Sequence, residues 1–195
     1  MTVALVLISD GRDCHEQSIS SMCAALPMGD FGQVIHVDDA AHELGFAGAI
    51  EKAWSQTDAD WIVHVECDFL FNRPVPLQRM IDVLEAHPHL VQMALLRQPV
   101  NDREIAAGGI IAMDPHLYEQ QEWQGEAFLS HRRCVTTNPC VWPRWVVERG
   151  WPQRPHSEGH FGIDLFAEDP AYRAAYWGRG EEWVHHIGHR VGRGY

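Results

Sequence analysis

Three apolar runs, each ending in acidic residues, constrain this chain more than any other feature. Residues 3–8 (Val-Ala-Leu-Val-Leu-Ile) are apolar without interruption and stop at Ser9, Asp10 and Gly11. Residues 33–37 end at Asp38 and Asp39, and residues 60–65 run into Glu66, Cys67 and Asp68. An unbroken apolar run suits a strand buried on both faces, as in a parallel sheet covered by helices. Between these strands the spacing predicts helices over residues 16–26, stopped near Pro27 and Gly29, and over 44–57, with Leu44, Ala47, Ile50 and Trp54 on one face. A third helix is expected over 77–87, with Met80, Ile81 and Leu84 inward. Further strands are expected at 90–96 and 108–113, the second followed by a helix start at Asp114 and Pro115. This alternation implies an α/β fold with a mainly parallel central sheet flanked by helices. After about residue 120 the chain is rich in Trp, Pro, His and Gly without clean periods, so loops and short elements are expected over one end of the sheet. With no internal repeat or linker, residues 1–195 read as one domain.

Charge narrows the partners. The formal net charge is −12, which repels nucleic acid and anionic membrane surfaces and excludes both as main partners. An acidic protein still binds a diphosphate if a divalent cation bridges the two. No apolar run approaches the roughly 18–20 residues of a membrane helix, so no transmembrane segment is expected. The opening apolar stretch is too short for a signal peptide and lacks a basic flank, so the expected location is cytoplasmic. Five cysteines without a C-x-x-C pair argue for reduced thiols, against a disulfide framework or a cysteine zinc site.

Ligands of open α/β sheets bind beyond the carboxyl ends of the strands. One acid there is usually a turn former or helix cap. Acids after three successive strands are different, because like charges on one rim are costly unless a cation or ligand uses them. Glu66-Cys67-Asp68 is the sharpest signal. Residues two apart in an extended segment point the same way, so both carboxylates can face one cation while Cys67 faces the core. Hard oxygen ligands suit Mg²⁺ or Mn²⁺, whose shells are completed by phosphate oxygens and water.

Residues 3–12, the Val-Asp-Asp of 37–39, the helix start at 45–50 and residues 61–68 together resemble the nucleotide-sugar-binding half of the GT-A glycosyltransferases, in particular small stand-alone enzymes of bacterial or bacteriophage type. The resemblance implies a Rossmann-like GT-A fold and a UDP- or GDP-sugar donor. It also implies Mn²⁺ or Mg²⁺ as cofactor, and an acceptor that is a glycan, a protein or a small molecule. Residues 1–72 would form the nucleotide-binding half, 73–180 the acceptor side, and 181–195 a tail over the donor site. By the same resemblance Ser9, Asp10, Gly11 and Arg12 would line the base and ribose, with Asp38 and Asp39. Glu66 and Asp68 would stand at the D-x-D positions and hold the metal, with Cys67 inside the same donor-binding segment. Glu66 departs from the usual first Asp, and in the family the second acid is usually the direct ligand, which favours Asp68.

Gly109, within residues 108–113, resembles the Gly-rich strand lining the acceptor side of the donor site, and residues 137–140 a loop that often follows it. Residues 157–164 resemble the late acidic segment that supplies the base of inverting members, with Glu158 first and Asp164 second. Near the end, His186 or His189 would complete the metal site, and Arg190 would clamp the diphosphate together with Arg179 and Arg193. Among eight tryptophans, Trp142, Trp145, Trp151, Trp177 and Trp183 fall in the acceptor-side half, where core is the commoner role than sugar platform. Two alternatives stay open. A nucleotidyltransferase would share the sheet, although residues 9–13 lack the paired glycines of G-x-G-x-R. A non-enzymatic, His-rich metal-binding module would keep a degenerate fold of the same type.

Overall fold

The computed structural model describes residues 1–41 and 43–188. From the amino terminus come β1 (Val3–Ser9), α1 (His15–Ala25), β2 (Gln33–Asp38), α2 (Gly45–Trp54), β3 (Trp61–Glu66) and the short β4 (Phe69–Phe71). Next are α3 (Leu77–Ala86), β5 (Leu90–Ala94), α4 (Asp102–Ala107) and α5 (Ile110–Met113). The rest holds β6 (Tyr118–Trp123), β7 (Glu126–His131), β8 (Cys140–Pro143), α6 (Arg144–Val147), α7 (Ser157–Glu168), β9 (Arg173–Trp177) and β10 (Val184–His186).

Eight strands form one sheet in the order β2-β1-β3-β8-β5-β9-β7-β6. The pairings make β2, β1, β3, β5, β9 and β6 point the same way, with β8 and β7 reversed. The expected α/β fold with a mainly parallel sheet is therefore what the chain adopts. All seven residues of β1 are buried, because Leu5 and Leu7 enter the core on one face while Val6 and Ile8 enter the other. The absence of alternation in the sequence has this cause. One face is covered by α1 and α3, where Leu77, Met80, Ile81 and Leu84 follow helical spacing. Trp54 of α2, Phe161 and Leu165 of α7 and the fully buried Trp142 of β8 pack together on the other.

Two expectations are corrected. Residues 108–113 are not a strand: Asn101 caps α4 by accepting from the N–H groups of Arg103 and Glu104, Gly108 ends it at φ +86°, and α5 follows. Asp114 and Pro115 open a short 3-10 turn instead of a helix. The half beyond residue 120 is more regular than expected. It supplies β7, β8 and β9 to the sheet and most of the β6–β7 hairpin, plus the 12-residue α7. No helix among the described residues is long and apolar enough to cross a membrane.

Candidate functional site

The parallel strands β1, β3, β5 and β9 finish along one edge of the sheet, and the reversed β8 starts there. A cleft of about 670 Å³ opens at that edge, lined among others by Arg12, Glu66, Asp68, Arg97, Thr137, Glu158, Tyr176 and His186. This is where an open α/β sheet binds ligands.

At its floor Asp68 is 4% exposed. Its Oδ2 meets Arg12 Nη1 and lies 3.1 Å from His186 Nε2. Arg12 reaches it from the loop after β1, where its Nε also pairs with Asp10 Oδ2 at 2.7 Å. That loop turns through Gly11 at φ +75°, and a Cβ there would stand 2.9 Å from Ala40 Cβ, so both backbone shape and space require glycine. The other Asp68 oxygen, Oδ1, is buried and accepts no hydrogen bond among the described residues. A buried carboxylate oxygen without a donor is costly and calls for a cause. A divalent cation ligated by Asp68 and His186, with Glu66 adjacent, would satisfy it, so these residues fit the expected metal. Glu66 lines the same cleft, but its contact at ion-pair distance is with His64 Nε2, 3.8 Å away. Asp68 and His186 are therefore the pair in contact. Cys67 faces the core as expected, 6% exposed.

His186 is held from two directions. β10 pairs antiparallel with β4, which directly follows Asp68, and Ile187 N–H donates to Asp68 O at 2.8 Å. The Gln98 side chain donates to His186 O and accepts from His186 N–H, both at 2.8 Å. Gly188 crosses so close that a Cβ would collide with Asp68 and Arg12.

Across the cleft Glu158 sits in the first turn of α7. Its Oε1 accepts from the Thr137 N–H at 2.6 Å and from Thr137 Oγ1 at 3.3 Å. Burial pushes the Glu158 carboxyl above its ordinary value, the Thr137 N–H pulls it back, and the charge of Glu66 raises it again. A carboxylate raised in this way holds a proton more tightly than a free one. Close packing brings α7 here: a Cβ on Gly162 would stand 3.0 Å from Val135 N.

Other expected residues stand elsewhere. Asp164 is exposed on α7, pairs with Arg154 Nη2 at 2.6 Å and lines a separate surface groove, so the structure does not bring it to the cleft. Ser9 and Asp38 bond to each other at the tips of β1 and β2 (2.9 Å). Asp39 is buried and caps α2, accepting from Leu44 N–H at 3.0 Å and Gly45 N–H at 2.8 Å. Gly109 precedes α5 without lining the cleft, whereas Ile110 lines it. Arg179 is exposed and pairs with Glu122. His189, Arg190 and Arg193 lie outside the described residues. Trp142, Trp151, Trp177 and Trp183 are buried in the core, and Trp145 stacks beneath Arg149.

Sequence reasoning missed Arg97, which follows β5 and lines the cleft. The buried Glu104 grips it through Nη1 at 2.7 Å and Nη2 at 3.2 Å. The signal was available, since Arg97 follows an apolar strand as the acids do.

No protein-family model matches the sequence, and no curated protein matches it. Solved structures do. S. aureus TarS in complex with UDP-GlcNAc superposes with a TM-score of 0.63 at 12% identity, over 100% of this chain and 60% of that one. The mannosyltransferase PcManGT from Pyrobaculum calidifontis, with GDP-Man and Mn²⁺, gives 0.56 at 14% identity over 88% and 53%. GalNAc-T7 with UDP, GalNAc and Mn²⁺ gives 0.65 at 7% identity over 96% and 44%. The chain thus spans about half the length of the chains it matches. These three are GT-A glycosyltransferases, and the protein described here has the GT-A fold.

Proposed function

We propose that the protein is a metal-dependent glycosyltransferase that moves a sugar from a UDP- or GDP-sugar to an acceptor hydroxyl. The observation that carries this reading is the buried Oδ1 of Asp68, without a partner among the described residues, beside His186 and facing Glu158 across one cleft at the carboxyl edge of the sheet. The matched structures support it, because they were solved with UDP-GlcNAc, UDP or GDP-Man, and two of them with Mn²⁺.

In this reading Asp68 and His186 hold the cation, with Glu66 reached directly or through water, and His189 is the alternative imidazole. Bound Mn²⁺ supplies positive charge that offsets the diphosphate in an otherwise acidic surface. Arg12 and Arg97 present guanidinium groups to phosphate oxygens, as Arg190 would from the tail. Asp10, Asp38 and Ser9, beside the cleft at the β1 and β2 tips, serve the nucleoside. Glu158 takes the proton of the acceptor hydroxyl while that oxygen bonds to the anomeric carbon and the bond to the diphosphate oxygen breaks. Such a single displacement inverts the anomeric centre. Glu158 keeps Thr137 as its donor throughout.

Asp68→Ala should abolish both donor hydrolysis and transfer while the circular dichroism spectrum stays native. Full activity in that variant would overturn the assignment.

A further inference from the structure

On the opposite face of the β3 tip from the two acids, His15, His36 and Cys67 converge. Each offers one ligand atom, and the three atoms all lie within 4.8 Å of one another. They come from three separate elements: His15 is the first residue of α1, His36 sits in β2, and Cys67 follows β3. The two imidazoles meet edge to face with ring centroids 5.7 Å apart. This cluster takes no part in the glycosyl-transfer reading.

The surrounding hydrogen bonds prepare His36 for a cation. Ser9 Oγ donates its one proton to Asp38 Oδ1 at 2.9 Å and lies 2.9 Å from His36 Nε2. With that proton committed, Ser9 can only accept, so Nε2 carries the hydrogen. The lone pair of the neutral ring is then on Nδ1. A metal-binding histidine typically shows this arrangement, with its second nitrogen donating to an oxygen that is itself held by a carboxylate. The Asp38–Ser9–His36 chain thus fixes tautomer and ring orientation.

We propose that His15, His36 and Cys67 form a second metal site, selective for a borderline-soft divalent cation of the Zn²⁺ class. Two imidazoles and one thiolate match Zn²⁺, which takes nitrogen and sulfur ligands in tetrahedral geometry. Mn²⁺ and Mg²⁺ prefer oxygen, so the two faces of one strand tip sort cations by ligand chemistry. Three protein ligands leave a fourth position for water. Acidic neighbours (Asp10 and Asp38 at the strand tips) favour a cation over a free imidazole pair. A cation held there ties α1, β2 and the end of β3 together.

The test uses the full chain under reducing conditions, with Co²⁺ as a spectroscopic probe. One equivalent should give ligand-field bands of a tetrahedral centre and a thiolate-to-cobalt charge-transfer band. Zn²⁺ should displace both, and excess Mn²⁺ should not. His36→Ala alters an exposed position on an edge strand and should weaken Co²⁺ binding at least tenfold without loss of fold. Cys67→Ser should remove the charge-transfer band, and Asp68→Ala should leave it intact. Absence of that band, its survival in Cys67→Ser, unchanged affinity in His36→Ala, or its loss in a folded Asp68→Ala protein would each overturn the proposal.

Discussion

Replacing Glu104 by Gln probes how the cleft keeps Arg97 in place. The Glu104 carboxylate is 6% exposed and accepts four hydrogen bonds, from Arg97 Nη1 and Nη2, from Val100 N–H and from Asn101 Nδ2. A Gln amide removes the charge and turns a second donor toward a guanidinium that has only donors. Removing one partner of a fully buried pair costs about 3–5 kcal/mol. Here the side chains of Arg97 and Glu104 keep 19% and 8% exposure, so solvent relieves part of the loss and about 3 kcal/mol is expected. At about 2–4 °C per kcal/mol for a chain of this size, the melting midpoint should fall by about 6–12 °C. The pH dependence provides an internal control. Burial alone would raise the Glu104 carboxyl, but the hydrogen bonds from Arg97, Val100 and Asn101, with the Arg97 charge, hold it below its ordinary value of 4.5. The stability it contributes is present above that value and is lost as the pH falls through its lower folded value. Thermal melts of wild type and Glu104→Gln should therefore differ most at neutral pH and converge in acid. A shift below 2 °C at pH 7, or a gap that persists undiminished at low pH, would show that the Glu104 charge does not hold Arg97 in place.

Glu158→Gln should lower the turnover of transfer by roughly 10²–10⁴-fold while donor affinity stays unchanged, because it removes a proton acceptor and keeps the Thr137 hydrogen bond. Its effect on stability has the opposite sign to that of Glu104: a carboxyl raised by burial and by Glu66 costs stability as the pH rises through its folded value, so the Gln variant should melt higher than wild type at neutral pH. A lower melting point with full turnover would contradict both halves. Gln98→Ala should free the backbone of His186 and, at about 1 kcal/mol for each of the two neutral hydrogen bonds lost, weaken Mn²⁺-dependent nucleotide binding by up to about thirtyfold in calorimetry. Unaltered affinity would show that His186 needs no clamp.

The first half of the fold was legible because its strands are buried on both faces and its helices carry clear apolar stripes. Residues 3–8 are too few for a helix and stop at turn residues, which suits a buried strand, and α3 repeats Leu77, Met80, Ile81 and Leu84 at helical spacing. The second half hid its strands for physical reasons. β6 reads Tyr-Glu-Gln-Gln-Glu-Trp, with four polar residues on an edge strand, and its turn is Gln124-Gly125, both at positive φ, without the usual Asn or Asp. Residues 108–113 are apolar enough for a strand, and only the Asn101 cap and the Gly108 stop make the region helical. Within the site, position after a buried strand singled out Asp68, whereas His186 and His189 stayed alternatives. The resemblance put Glu158 ahead of Asp164, but the geometric reason lies in α7, which the sequence reading did not recognise. Six residues along a helix turn a side chain through roughly 240°, so only one of the two can face the cleft. Asp39 shows the reverse case: an acid that looked like a nucleoside contact spends both oxygens capping α2.

Calorimetric titration of UDP and GDP, with and without Mn²⁺, into wild type and Asp68→Asn tests whether Asp68 seats the cation that admits the donor. One of the nucleotides should bind wild type with Mn²⁺ present, and chelating the metal or replacing Asp68 should remove the binding. Nucleotide binding that is indifferent to Mn²⁺, or intact in Asp68→Asn, would contradict that role of Asp68.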